Sequence, residues 1–380
     1  MGLKLVVEGF KSIRHATLEL RPVTILIGPP DSGKSNTLEA LGLLSYISYG
    51  GDVRRYFRWD SLAALSHSMS QAISGVELKS NGESIIASRL LFETGSVKAE
   101  VKLGEGPLTM IEYSYEGDVR AWSLAPGSYE ALQSLLRVRF YRYTPVSLAW
   151  KSAGNGFVLS RILEGDPGLY DELLDNLLLP PNGGNLTRLV RSNTEAADLV
   201  KSFLTGWLGY DDVVITRIPT PRGPPVESIT AILAEKGIRT SIPLSLLSDG
   251  AIQYLMVALS LTTRPPNRIP RGVPDIVALE EPEAHAFPYL VNAIAEEIIG
   301  ATREGVYVML STHNPYLLIR LIEKTPKDSL AVYYVYYSRA KASSVYVMLL
   351  DEHLEELLEE EYASLYTIED ILEDSGVILK

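Results

Sequence analysis

A glycine-rich loop that ends in lysine and serine carries the clearest chemistry in this sequence. Residues Gly28–Ser35 read G-P-P-D-S-G-K-S and fit the phosphate-loop pattern G-x-x-x-x-G-K-[ST]. In such a loop, backbone N–H groups and the N-terminus of the following helix cradle phosphates. Lys34 would bridge the β- and γ-phosphates, and Ser35 would bind Mg²⁺. The loop therefore predicts a site for a nucleotide with magnesium.

The whole loop and the residue after it are expected to line this site. Pro30 removes one backbone donor, which thins the cradle slightly. Asp31 falls where the loop needs a left-handed residue, a conformation that aspartate tolerates. The predicted nucleotide-binding residues are Gly28, Pro29, Pro30, Asp31, Ser32, Gly33, Lys34, Ser35 and Asn36.

Two adjacent carboxylates follow a second apolar segment. Ile276–Leu279 reads as a buried strand, and Glu280 and Glu281 come directly after it. Ligands of open α/β sheets bind at the carboxyl ends of strands. Because successive strand residues point to opposite faces, one acid can face the metal and the other the nucleophile. We expect Glu280 to hold Mg²⁺ through water, and Glu281 to orient and deprotonate the attacking water.

Two further segments supply groups that suit a polyphosphate. His313 follows the apolar run Val306–Leu310, where it could contact the γ-phosphate and sense its loss. Ser248, Asp249 and Gly250 begin an apolar helix, whose N-terminus makes an anion site with the serine hydroxyl. By itself this second segment also reads as an ordinary helix cap. The predicted catalytic residues are therefore Lys34, Glu281 and His313. The other histidine of this region, His285, is expected in a loop.

The elements that must position these residues follow from hydrophobic periodicity. After Gly250 the pattern is helix, strand, helix, strand, helix, which indicates a parallel sheet with crossover helices. These elements are predicted at about 251–262, 275–280, 285–300, 306–311 and 315–323. Before the phosphate loop, strands are predicted at 2–8, 15–20 and 23–27, and a helix runs from Gly33 to about Ser48.

The middle of the chain predicts a different architecture. Turn residues separate several antiparallel strands between 75 and 115, at 75–79, 84–94, 97–103 and 108–115. Further strands are predicted at 137–143, 213–218, 229–233, 330–336 and 343–350, and residues 156–208 are predicted to be mainly helical. The fold class is therefore α/β, with a mixed sheet, an antiparallel β lobe and a helical insertion.

Composition sets the remaining limits. The chain has 380 residues, no cysteine and a net charge of −12. Residues 351–380 hold eleven acidic residues and one lysine, so the acidity is concentrated in a terminal tail and the body is close to neutral. No apolar run of about 18 residues indicates a membrane span. We expect a cytoplasmic protein without disulfides and without contact with a membrane.

Together these motifs resemble the ABC-type ATPase heads of the SMC, RecF and overcoming-lysogenization-defect (OLD) group, most of all its compact OLD-like AAA family ATPases. The opening Val7–Ile13, with Lys11 as a further nucleotide contact, is similar to the group's first strand and turn. Gly33–Asn36, Leu247–Gly250, Glu280–His285 and Ser311–Pro315 resemble its phosphate loop, signature, Walker B with D-loop, and switch histidine. The resemblance covers roughly residues 1–45 and 226–350.

The resemblance implies an ATP-dependent homodimer. Ser248 and Gly250 of one head would contact the γ-phosphate held by Lys34 of the other, and hydrolysis would release the pair. The implied head spans 1–350, divided at 1–150, 151–225 and 226–350, and the tail spans 351–380. Only 67 residues follow His313, so we expect no Toprim nuclease domain.

Three departures from the group's pattern stand out. Glu280 occupies a position where aspartate is usual, and long coiled-coil arms are missing. No glutamine is well placed for the Q-loop, because Gln71 and Gln133 lie far from the expected position; Tyr143 or Ser147 could take that place.

Three roles fit such an ATPase. The first is DNA repair, DNA maintenance or anti-phage defence, with phosphate contacts from basic residues among aromatics. Those candidates are Arg54, Arg55 and Arg58 with Tyr56, and Arg137, Arg139 and Arg142 with Tyr141. The second is a nucleotide-gated switch that controls a separate nuclease or toxin. The third, a small-molecule kinase, fits Glu281 and His313 poorly.

Overall fold

The computed structural model describes most of the chain. Its described residues are 2–49, 56–58, 62–67, 73–93, 96–106, 108–114, 119–123, 128–142, 185–220, 223–267, 269–359, 370 and 372–373. Predictions for Arg54, Arg55, Tyr143, Ser147, residues 156–184 and most of the acidic tail lie outside them.

The described elements alternate between long strand-rich stretches and βα units. The strands are β1 (Leu3–Phe10), β2 (Ile13–Leu20), β3 (Val23–Ile27), β4 (Ile73–Ser80), β5 (Glu83–Glu93), β6 (Ser96–Leu103), β7 (Leu108–Ser114), β8 (Val119–Ser123), β9 (Val138–Arg142), β10 (Asp212–Thr220), β11 (Gly223–Glu235), β12 (Ile238–Pro243), β13 (Ile276–Glu280), β14 (Tyr307–Ser311), β15 (Leu330–Ser338) and β16 (Ser343–Met348). The α-helices are α1 (Lys34–Tyr49), α2 (Ser128–Ser134), α3 (Leu186–Ser192), α4 (Thr194–Ser202), α5 (Asp249–Thr262), α6 (Pro288–Arg303), α7 (Pro315–Lys324) and α8 (Asp351–Glu359).

A six-stranded mixed sheet carries the predicted site. Its order is β16-β15-β3-β14-β13-β9; β16 is antiparallel to its neighbour, and the other pairs are parallel. The central strands β3 and β13 are buried at every position, because helices cover both faces of the sheet. Helix α1 packs on one face, and α5 and α6 pack on the other. This confirms the predicted parallel sheet with crossover helices.

Two antiparallel sheets flank this core. The larger has seven strands in the order β2-β1-β4-β5-β6-β7-β8, and the smaller has three in the order β10-β11-β12. Strands β8 and β12 were not predicted. Strand β12 is exposed or half-buried throughout, so it lacks the apolar alternation that marks a strand in sequence.

Helix boundaries confirm the predictions within a few residues, with one instructive difference. Helix α6 begins at Pro288 rather than near 285, because His285 has a positive φ of 61° that a helix cannot continue through. Proline suits the first helical position, where an N–H would have no partner. No helix among the described residues is long and apolar enough to cross a membrane.

Candidate nucleotide-binding and catalytic site

The phosphate loop joins β3 to α1 and needs glycine at both of its ends. Gly28 and Gly33 have φ values of 139° and 107°. A Cβ on Gly28 would lie 2.1 Å from the carbonyl oxygen of Val335, and one on Gly33 would lie 2.1 Å from Ser344 Oγ. The left-handed conformation expected for Asp31 is confirmed by its φ of 58°. The loop is therefore clamped against β15 and β16.

Lys34 begins α1 and is turned onto the loop itself. Its ammonium donates to the carbonyl oxygens of Gly28 and Pro29, both at 2.7 Å, and to Ser32 Oγ at 3.3 Å. Burial lowers the pKa of Lys34 to about 8, although Glu281 and Asp31 oppose the shift. The lysine is thus a buried cation at the centre of the loop. Its contact with phosphates stays a prediction.

Asn36 ties the loop to two neighbouring strand pairs. Its Nδ2 donates to Ser12 Oγ at 2.7 Å, and Ser12 Oγ lies 2.8 Å from Ser344 Oγ. Ser12 is in the turn between β1 and β2, and Ser344 is in β16. In the structure Asn36 therefore braces the loop, while its contact with nucleotide stays a prediction.

Glu280 ends β13 at the carboxyl edge of the sheet and is nearly inaccessible, at 3% exposure. In register it lies between Ser311 of β14 and Arg142 of β9. Its carboxylate accepts from Arg142 Nε and lies 2.9 Å from Arg58 Nη2. Burial would raise the pKa of Glu280, but Arg142, the Ser35 hydroxyl and Arg58 together bring it below its usual value. Glu280 is therefore an ionised, buried carboxylate.

The oxygen donors beside the loop fit a magnesium ion. The Ser35 hydroxyl is close enough to the Glu280 carboxylate to favour its ionised form, so the two predicted metal ligands lie near each other. No cluster of three or more His, Cys, Asp or Glu occurs among the described residues. Mg²⁺ commonly binds through one or two protein oxygens and otherwise keeps water or substrate phosphate, so the oxygens of Ser35 and Glu280 suit it.

Glu281 and His313 face each other across the same edge. His313 Nε2 lies 3.5 Å from Glu281 Oε1, and both side chains are partly exposed. Glu281 has a φ of 44°, so the chain leaves the strand at this residue. The two acids therefore diverge through a backbone turn rather than through the strand pleat that the sequence suggested. Burial lowers the pKa of His313, with help from Lys34 and against Glu281.

Glu283 supports the histidine segment and was missed from the sequence. It is 7% exposed; its Oε1 accepts from Thr312 Oγ1 and, at 3.4 Å, from the His313 N–H. Thr312 Oγ1 in turn accepts from the Asn314 N–H at 2.9 Å. Burial raises the pKa of Glu283. The only signal was a third acid in the run Glu280–Glu283.

The signature segment forms a helix cap, as its sequence predicted. Ser248 Oγ accepts from the Ala251 N–H at 3.4 Å. A Cβ on Gly250 would lie 2.3 Å from the His285 carbonyl oxygen, so glycine is needed for packing against the exposed His285 loop. Among the described residues, no hydrogen bond or ion pair joins Ser248, Asp249 or Gly250 to the phosphate loop. Their role in binding nucleotide stays a prediction.

Lys11 pairs with a buried acid that the sequence did not reveal. Its ammonium contacts Glu39 Oε2 and donates to the Arg58 carbonyl oxygen at 2.8 Å. Glu39 lies in α1 at 0% exposure and also binds Arg142 Nη2 and the Arg58 N–H. Burial lowers the pKa of Lys11, and Glu39 opposes that shift. Contact between Lys11 and a nucleotide stays a prediction.

The prediction that the second group of arginines, with Tyr141, forms an exposed DNA-binding surface is wrong. Arg139 is fully buried and pairs with Asp275 at 2.6 Å, while Arg137 is 9% exposed and donates to the carbonyls of Ile269 and Pro270. Arg142 is engaged by carboxylates, and Tyr141, like Tyr56 of the first group, is buried. These side chains serve the interior. Among the described DNA candidates, Arg58 alone has a largely exposed side chain, at 64%.

Comparisons with known proteins agree with this fold. The family described as "AAA domain, putative AbiEii toxin, Type IV TA system" matches residues 23–319. A solved Smc head bound to the C-terminal winged-helix domain of ScpA is similar with a TM-score of 0.51 at 12% identity, covering 93% of this chain and 98% of that one. An Smc head with an extended coiled coil, bound to the C-terminal domain of ScpA and derived from Pyrococcus furiosus, gives 0.48 at 13% identity, covering 98% of each chain.

A third structure, the SMC head domain from Thermotoga maritima, gives a TM-score of 0.38 at 16% identity and covers 92% of this chain and 100% of that one. No protein with a curated description matches the sequence significantly. At these identities the first similarity shows the fold, an α/β ATPase head of the SMC type.

Proposed function

The chain belongs to the family described as AAA domain, putative AbiEii toxin, Type IV TA system, and from that premise we propose that it binds ATP with Mg²⁺, hydrolyses it and dimerises head to tail. Five residues at one edge of the central sheet support the hydrolytic part. Lys34, Ser35, Glu280, Glu281 and His313 come from three separate segments and meet at the carboxyl ends of β3, β13 and β14. This convergence is the observation that carries the proposal.

Each residue has a role that its surroundings support. Ser35 and Glu280 would hold Mg²⁺, which when bound neutralises charge developing on the phosphate oxygens. Lys34 would turn from the loop carbonyls to the phosphates. Glu281 is partly exposed, so it can reach a water molecule and accept its proton. His313, whose lowered pKa keeps it neutral at pH 7, would hold that water or the γ-phosphate beside Glu281.

The signature segment supports completion of the site by a second copy. Ser248 and Gly250 present a helix N-terminus that, in the part of the chain that the structure describes, makes no hydrogen bond to the phosphate loop. Gly250 packs against His285. Shortly after that residue, Phe287 and Tyr289 are 68% and 46% exposed, and Tyr289 also contacts the 49% exposed Trp207. Exposed aromatic clusters of this kind mark interaction surfaces. A twofold dimer would use the same surface on both copies.

Two cellular roles are proposed: one that acts on DNA, and one that controls a separate protein. The family's description names a putative toxin of a toxin–antitoxin system, which favours anti-phage defence over DNA repair or maintenance. The burial of Arg137, Arg139 and Arg142 removes half of the expected DNA contacts. That observation favours the alternative, a nucleotide-gated switch that acts on a separate effector protein rather than on DNA.

Two variants test the hydrolytic part directly. Lys34→Ala should abolish binding of a fluorescent ATP analogue, because the loop loses its only lysine. Glu281→Gln should bind the analogue normally and release phosphate at least ~10²-fold more slowly, the scale of a lost general base. Near-normal phosphate release by Glu281→Gln would exclude Glu281 as the base. Normal binding by Lys34→Ala would exclude the loop as the nucleotide site.

A further inference from the structure

Five charged side chains form one continuous set of ion pairs beside the phosphate loop. Lys11 contacts Glu39, Arg142 joins Glu39 to Glu280, and Arg58 contacts Glu280. The set connects the β1–β2 turn, α1, β9, β13 and the segment 56–58. It carries three positive and two negative charges, so the set itself has a net positive charge.

Arg142 is the central member of this set. It is the last residue of β9, directly opposite Glu280 in the parallel register. Its Nε donates to Glu280 Oε2 and its Nη2 donates to Glu39 Oε1, so the planar guanidinium holds both carboxylates at once. The guanidinium carbon lies 5.4 Å from the centre of the Phe140 ring. Its side chain is 12% exposed, so these contacts are little screened by solvent.

The same carboxylate is the predicted magnesium ligand. Ser35, the other oxygen donor expected on the ion, is the second residue of α1. A divalent cation and a guanidinium on one carboxylate repel each other strongly at contact distance in a partly buried site. Arg58 contributes less to this conflict, because its side chain is 64% exposed and exposed ion pairs are weak.

We propose that Arg142 and Mg²⁺ compete for Glu280, and that Glu39 keeps the guanidinium paired once the metal has replaced it on Glu280. This inference rests on the proposed function. Arg142 then sets the magnesium concentration that nucleotide binding requires. Glu39 is suited to this part because it is fully buried in α1 and already accepts from Arg142. Without Glu39, releasing Arg142 from Glu280 would deprive a mostly buried guanidinium of both of these carboxylates.

The competition predicts that substitutions of Arg142 and of Glu39 shift the Mg²⁺ midpoint in opposite directions. Arg142→Gln removes the competitor, so the Mg²⁺ midpoint for binding a fluorescent ATP analogue should fall by about tenfold, the lower end for losing a charged hydrogen bond. Glu39→Gln removes the alternative partner of Arg142, so the midpoint should rise. Arg264→Gln, which breaks an ion pair with Glu304 away from the loop, is the matched control and should leave the midpoint unchanged.

Two further variants keep the test decisive where Arg142→Gln folds poorly. The double variant Arg142→Gln with Glu39→Gln removes both members of that ion pair, and its midpoint should fall as in the single arginine variant. Arg142→Lys keeps the charge but loses the planar guanidinium that holds both carboxylates. Its Mg²⁺ midpoint should therefore lie between those of wild type and Arg142→Gln. Circular dichroism confirms that each variant is folded before the titration.

The possible results separate this inference from the function on which it rests. A midpoint that stays unchanged or rises in both the arginine variant and the double variant overturns the competition, because Arg142 would then be only a structural brace. Wild-type protein that fails to bind the analogue at any magnesium concentration overturns the proposed function itself, and the inference with it.

Discussion

Thr312→Val removes the hydroxyl that links the histidine segment to Glu283 while keeping the shape of the side chain. Thr312 is 1% exposed, and its hydroxyl donates to the Glu283 carboxylate and accepts from the Asn314 N–H. The substitution leaves the carboxylate of Glu283 with the long 3.4 Å contact to the His313 N–H. Both His313 and the cap of α7 depend on this linkage.

The expected size of the effect follows from those contacts. A hydrogen bond to a charged group is worth about 1.5–3 kcal/mol, and the neutral bond from Asn314 adds about 1 kcal/mol. We therefore expect a loss of about 2–4 kcal/mol in the free energy of unfolding. Because His313 contacts Glu281 and not the loop carbonyls, kcat for ATP should fall about tenfold or more with little change in KM.

Urea unfolding and steady-state phosphate release on the same preparations measure both quantities. Thr312→Ser is the control, because it keeps the hydroxyl and loses one methyl group, so its kcat should stay close to that of the wild type. Wild-type kcat in a Thr312→Val protein of reduced stability would refute the positioning of His313 by Thr312. Equal losses in the serine and valine variants would assign the effect to packing rather than to the hydrogen bond.

Three further predictions concern other parts of the same edge. Ser248→Arg should leave the affinity for a fluorescent ATP analogue unchanged while blocking dimerisation and hydrolysis, and normal turnover by a monomeric variant would contradict a composite site. Because burial raises the pKa of Glu283, its contribution to stability is full below the unfolded pKa and is lost as pH rises through the folded pKa. Glu283→Gln should therefore gain stability relative to wild type as pH rises above about 4.5 in urea titrations, and a difference that does not change with pH would contradict the shift. Gly28→Ala should lower the melting temperature and weaken analogue binding, because its Cβ would lie 2.1 Å from the Val335 carbonyl oxygen; wild-type values for both would show that the loop can move.

The sequence predicted the elements that carry strong local signals. The phosphate loop, the buried strands β3, β13 and β14, and the helices that follow them all appear within a few residues of their predicted bounds. Each has an apolar run of suitable length next to a residue with one conformational role, such as Gly28 or Pro315. Local patterns of this kind are sufficient because the chain neighbours themselves determine the conformation.

The sequence could not predict which charged residues are buried. Arg139 and Arg142 lie on either side of two aromatic residues on β9, a pattern that also describes an exposed basic strand. Their actual partners, Asp275 for Arg139 and Glu39 and Glu280 for Arg142, are more than a hundred residues away in sequence. Glu39 has the same difficulty, since an acid in a helix ordinarily faces solvent. Only the packing of five separate segments brings these charges together.

The mass of Glu281→Gln in solution, measured by size exclusion with light scattering with and without Mg-ATP, tests whether ATP joins two heads into a dimer. This variant should bind ATP without completing hydrolysis, so a closed dimer would accumulate. We expect a monomer that becomes a dimer only when Mg-ATP is present, and that stays a monomer when Ser248→Arg is added. A mass that does not respond to Mg-ATP would contradict the ATP-dependent composite site and leave Ser248–Gly250 as a helix cap.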